Sequence, residues 1–195
     1  MKTTLLKLDR TLFEVSGNEW TDSRGEVARA LGKALTWSEV LQNKCSVLVG
    51  SANSGKTSEL RLQARALREE HVHACFISVR ELLVGGVVED ALERNESAAL
   101  NAWSSTPHQQ LFLFVDSIDE ATLSGARDLG RCLGKLVERV AVAQENVTWV
   151  LSTRPAVLNQ DVLDAIDDSL GVKVSRRAAQ ENKSESILDA AESTA

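Results

Sequence analysis

Between Cys45 and Leu170 the chain alternates short apolar runs with amphipathic stretches. Residues 45–49 (CSVLV), 74–79 (ACFISV), 111–115 (LFLFV) and 147–152 (VTWVLS) have the form of strands buried on both faces of a parallel sheet. Helical spacing fills the intervals. Residues 56–70 carry Leu60, Ala64 and Leu67 on one face, with Arg61, Arg65, Arg68 and Glu69 off it. After the break at Gly85-Gly86, residues 88–103 repeat the pattern with Val88, Ala91, Leu92, Ala99 and Ala102. Residues 128–145 do so with Leu129, Leu133, Leu136, Val137 and Val140, and Leu158, Val162, Ile166 and Leu170 suggest one more helix. The alternation predicts an α/β, three-layer domain: a mostly parallel central sheet flanked by helices, with right-handed crossovers.

The two ends carry weaker patterns. Residues 5–15 alternate weakly and fit a strand or a short helix, and residues 23–35 read as a helix through Val27, Ala30, Leu31 and Ala34. A second helical turn, Trp37–Leu41, either covers a bound base or simply packs. Thr106-Pro107-His108 reads as a turn, and residues 172–174 suggest a last strand. From Ser175 the chain is rich in Arg, Glu, Ser and Ala, which fits a frayed helix or disorder. The expected division is a lead-in over 1–36, a core over 37–174 and a polar tail over 175–195.

At 195 residues, 43% hydrophobic and 26% charged, the chain is large enough to bury a core without staples. A net charge of −6 argues against nucleic acid or an anionic membrane as the main partner. Lys7, Asp9 and Arg10 interrupt any signal-like apolar run at the start, and no stretch approaches a membrane span in length. Cys45, Cys75 and Cys132 are far apart, form no C-x-x-C pair and read as small core residues. These features predict a cytoplasmic, reducing location. His71 and His73 flank the second apolar run and read as solvated loop residues rather than a metal pair.

Specific chemistry enters after the first run. Gly50-Ser51-Ala52-Asn53-Ser54-Gly55-Lys56-Thr57 fits G-x-x-x-x-G-K-[ST], the P-loop pattern, and Ser58 follows it. Gly50 and Gly55 allow turns that aim successive N–H groups at phosphate oxygens. The following helix adds the unpaired donors of its first turn and the positive end of its dipole. Lys56 is then expected on the β- and γ-phosphates and the Thr57 hydroxyl on Mg²⁺.

The most hydrophobic run, 111–115, ends in Asp116-Ser117-Ile118-Asp119-Glu120. A carboxylate at the end of a buried strand beside the P-loop strand is where a Walker B acid holds Mg²⁺, and a nearby glutamate can deprotonate water. The plainer alternative is an acidic loop leading into a helix. The last run ends in Thr153-Arg154-Pro155, which puts an arginine on the same sheet edge as the P-loop.

Together GSANSGKTSEL, D-S-I-D-E and LSTRP resemble Walker A, Walker B and sensor 1 of the NACHT family of signal-transduction P-loop NTPases, especially bacterial members that resemble anti-phage defence proteins. The resemblance runs from about Trp37 to Leu158. It implies that Lys56 and Thr57 bind phosphate and Mg²⁺, Asp116 holds Mg²⁺, Asp119 and Glu120 position and activate water, and Arg154 senses the γ-phosphate. Family members are longer, ATP- or GTP-driven cytosolic switches with sensor and effector domains. The expectation is therefore a truncated or stand-alone core that binds ATP or GTP and hydrolyses it slowly with Mg²⁺. Nucleotide-dependent self-association belongs to a full-length context. Two rivals remain: a nucleotide-binding interaction module with negligible turnover, and a small-molecule P-loop kinase, for which no basic lid segment is evident.

Overall fold

Strand-forming runs that bury both faces need cover on both sides, and the chain supplies it. A computed structural model describes residues 12–13, 34–122 and 126–172. Strands β1 (Leu12–Phe13) and β2 (Ala34–Leu35) pair antiparallel as a separate ladder. The main sheet comprises β3 (Cys45–Val49), β4 (His73–Ser78), β5 (Leu111–Asp116) and β6 (Val147–Thr153). All its neighbours are parallel, in the order β3-β6-β5-β4.

Side chains along each strand alternate between two cores, as the period of two requires. Ala74, Phe76, Phe114 and Val150 face one side, where Leu60 and Ala64 of α2 (Lys56–Glu69) cover them, with Trp37 and Leu41 of α1 (Trp37–Leu41). Cys75, Ile77, Leu113, Val115, Trp149 and Leu151 face the other. There α3 (Val79–Gly85), α4 (Arg94–Ser105), α6 (Ala126–Val140) and α7 (Gln160–Leu170) close the larger core, and α5 (Asp119–Thr122) is a single turn after β5. Trp103 and Trp149, both fully buried, are its largest members.

The chain leaves β3 for the α2 face and crosses to β4, then returns through β5 to β6 along the opposite face. Reversing direction and face together keeps all three crossovers of one hand. It also makes the connections after neighbouring strands β3 and β6 diverge to opposite faces. Such a divergence opens a crevice at the carboxyl ends of the strands, the usual ligand position in open α/β sheets.

Several expectations are corrected. The strand carrying Asp116 is not beside β3: β6 lies between them, because β6 pairs with both. Ala34 and Leu35 are strand, not helix end, since backbone pairing with Phe13 and Leu12 outweighs their helical spacing. Residues 14–33, and with them most of the expected helix, lie outside the described residues, as do residues 173–195. Val79 opens α3 rather than closing a strand: Ser78 caps it, its side chain accepting from the Glu81 N–H, and left-handed Gly86 ends it. The expected helix over 88–103 is two elements, a 3₁₀ turn (Glu89–Ala91) and α4, because Leu92 is extended between them. Likewise α6 stops at Val140 and a 3₁₀ segment follows to Asn146. His73 is the first residue of β4, not a loop residue, and its Nε2 meets Gln109 Oε1 at 2.8 Å. No helix among the described residues is long and apolar enough to cross a membrane.

Candidate functional site

The loop after β3 is tied to the next strand at its first residue, where the Gly50 N–H donates to the Thr153 carbonyl (3.2 Å). A Cβ at Gly50 would stand 2.9 Å from Ser54 Oγ and 3.4 Å from Lys56 Cδ, so the tight loop has no room for one without a shift. Asn53 (φ 58°) and Gly55 (φ 82°) are left-handed, and Gly55 serves as the N-cap residue of α2. Ser51, Ala52 and Asn53 are exposed; Ser54, Gly55, Lys56 and Ser58 are half-buried. The Lys56 ammonium donates to the carbonyls of Gly50 and Ser51 (2.9 Å) and to Ser54 Oγ (3.4 Å). The loop is thus folded around its own lysine.

One helical residue on, exposed Thr57 reaches across the sheet edge. Its hydroxyl donates to Asp116 Oδ2 at 2.6 Å, although 59 positions separate them. The other oxygen, Oδ1, accepts from Ser152 Oγ at 2.5 Å. Asp116 is only 5% exposed, and each of its oxygens accepts from a hydroxyl. Carboxylates are seldom buried. This one, flanked by a hydroxyl, has the donor chemistry that suits Mg²⁺, which is commonly held by one or two carboxylates plus water and substrate phosphates. Among the described residues no three His, Cys, Asp or Glu side chains converge as a full metal cage.

The remaining predicted residues form a second group. The Arg154 Nε donates to Asp119 Oδ2 at 2.9 Å; the arginine is 56% exposed and the acid 7%. Both line a cleft of about 430 Å³ together with Glu120, Arg80, Leu83, Val84 and Val157. No residue of the Gly50–Thr57 loop lines it. The structure therefore brings Thr57 and Asp116 into contact, holds Lys56 on the loop's own carbonyls, and gathers Asp119, Glu120 and Arg154 in the neighbouring cleft.

Two residues of these groups were given no role by the sequence, although Ser152 falls within the LSTRP stretch. Ser152 lies one position past the Val115–Leu151 register pair, and only strand pairing reveals that it faces Asp116. Arg80 comes from α3, whose signal is the Ser78-x-x-Glu81 capping pattern.

Other candidates go to packing. The Trp37 indole donates to Glu59 Oε1 (2.8 Å) and meets Phe114 edge-on at 6.3 Å between ring centres. Burial pushes the thiols of Cys45 and Cys75 up to about 12, and that of Cys132 up as well. None of the three is a ready nucleophile at neutral pH.

No protein-family model matches the chain, and no curated protein matches it either.

Proposed function

We propose that this chain is a P-loop nucleotide-binding protein that holds ATP or GTP with Mg²⁺ at the Gly50–Thr57 loop. It hydrolyses the nucleotide slowly and uses it as a conformational switch. Within that class, the motif set is that of the NACHT-like signalling and defence NTPases. The observation that carries the reading is the 2.6 Å contact between Thr57 and Asp116. A glycine-loop hydroxyl and a strand-end acid that meet from so far apart make a metal-binding pair on the phosphate side of the loop.

On this reading Lys56 leaves the Gly50 and Ser51 carbonyls for phosphate oxygens, while the first-turn N–H groups of α2 remain as donors. Mg²⁺, held by Thr57 and Asp116, would supply charge neutralisation on the phosphate chain. Glu120 serves as the base that takes a proton from water, and Arg154 passes from Asp119 to the terminal phosphate.

A second reading, a nucleotide-binding module with negligible turnover, draws support from the Arg154–Asp119 ion pair. While that pair stands, Arg154 Nε and Asp119 Oδ2 are engaged with each other rather than with phosphate or water. Phosphate release measured beside equilibrium binding separates the two readings.

The primary test is thermal unfolding with ATP, GTP and Mg²⁺. A ligand at 100 times its Kd adds about 2.7 kcal/mol. Lys56→Ala is expected to remove that shift and leave the unliganded fold intact, and a mutant that shifted as much as wild type would refute the assignment.

A further inference from the structure

Ser152 is fully buried near the end of β6, where its hydroxyl and its carbonyl are both engaged with the end of β5 and the turn that leaves it. Its hydroxyl donates to Asp116 Oδ1 (2.5 Å) and accepts from the Ser117 N–H (2.9 Å). Its carbonyl accepts from the Ile118 N–H (2.9 Å). Ser117 is left-handed (φ 63°), a conformation that a residue with a side chain keeps only where its surroundings impose it. The hydrogen bonds from Ser117 and Ile118 impose it. Two positions further, Arg154 holds Asp119.

We propose that Ser152 is the positioning residue of the site: its hydroxyl orients the Asp116 carboxylate so that Oδ2 faces Thr57. The same hydroxyl holds the 116–118 turn that carries Asp119 and Glu120 onward. This rests on the nucleotide and Mg²⁺ reading given above.

A serine hydroxyl suits the task because it donates once and accepts at the same time. The donor fixes one carboxylate oxygen; the acceptor fixes the adjacent N–H. With Oδ1 satisfied, Oδ2 is left for the position shared with Thr57. Alanine would take this partner from both the Oδ1 oxygen and the Ser117 N–H in a largely buried site, and the carboxylate would be held by Thr57 alone. Hydrogen-bond partners that orient a metal ligand in this way typically change metal affinity by about 10- to 100-fold when removed.

The test is a Mg²⁺ titration of the binding of a fluorescent, non-hydrolysable ATP analogue, run on wild type, Asp116→Ala, Ser152→Ala and Ser152→Thr. Wild type is expected to bind more tightly as Mg²⁺ rises, and Asp116→Ala to lose that dependence. Ser152→Ala is expected to bind without Mg²⁺ as wild type does but to need about 10- to 100-fold more Mg²⁺ at the midpoint. Ser152→Thr, which keeps the hydroxyl, returns the midpoint towards wild type. A wild-type midpoint in Ser152→Ala, with Asp116→Ala defective, overturns the role of Ser152 alone; so does a folded Ser152→Thr as defective as Ser152→Ala. A wild-type protein with no Mg²⁺ response overturns the nucleotide and metal reading and this inference with it. A Ser152→Ala protein that does not fold is replaced by Ser152→Cys, of similar volume but a weak donor, and the same outcomes apply.

Discussion

Asp116→Asn separates a functional acid from a structural one by the sign of its effect. The side chain is 5% exposed and accepts hydrogen bonds from Thr57 (2.6 Å) and Ser152 (2.5 Å). Burying a carboxylate costs several kcal/mol even after relaxation. Two charge-assisted hydrogen bonds return about 1.5–3 kcal/mol each, so the ligand-free site is close to balance. Asparagine keeps the shape and removes the charge. Its carbonyl still accepts from one hydroxyl, and its NH₂ makes the other hydroxyl accept. Neither hydroxyl is stranded when the asparagine carbonyl takes the Ser152 side and its NH₂ the Thr57 side, because Ser152 then keeps an acceptor and Thr57 is exposed to water. We expect Asp116→Asn to gain about 1 kcal/mol without metal, which raises Tm by about 2–4 °C in a chain of this size. The additional stabilisation that Mg²⁺ gives in the presence of ATP should vanish. Thermal melts followed by circular dichroism at pH 7, with and without Mg²⁺ and ATP, read both effects. A loss of about 2 kcal/mol or more would identify the carboxylate as part of the framework, and a retained Mg²⁺ effect would remove it from the metal site.

Glu120→Gln preserves side-chain size and removes the base; ATP binding should persist while phosphate release falls about 100-fold or more. Equal loss of binding would assign Glu120 to the nucleotide contacts instead. Glu96, 6% exposed, pairs with Arg68 at 2.8 Å between α2 and α4, so Glu96→Ala should cost about 3 kcal/mol in urea unfolding. A change under about 1 kcal/mol would mean that the pair breaks even against its desolvation. A rise from 9.0 to about 12 cuts the thiolate fraction of Cys45 and Cys75 about a thousandfold at pH 8, so mass spectrometry should find maleimide on these cysteines only after denaturation. Folded thiols that hold their protons to about 12, against unfolded ones that release them near 9, also predict stability that falls as pH rises across that interval. An unchanged urea midpoint between pH 9 and 11 would contradict the burial of these thiols.

Features under local chemical control could be read directly from the residues. The four core strands, the loop from Gly50 to Thr57 and the helix after it are legible because apolar runs, glycine and capping follow from a few consecutive residues. Asp116 was legible for a similar reason: it stands at the end of the most apolar run. The order of the strands was not. Only the packed sheet puts β6 between β3 and β5, and from that one placement follow Ser152 on Asp116, Arg154 on Asp119 and the Gly50 tie to Thr153. Residues 88–103 show the converse. Their helical spacing is real, yet Val88 and Ala91 reach the core from a 3₁₀ turn while extended Leu92 separates them from α4. Periodicity reports which side chains face inward, whereas pairing and packing between distant segments decide which backbone carries them there and which acids and hydroxyls meet.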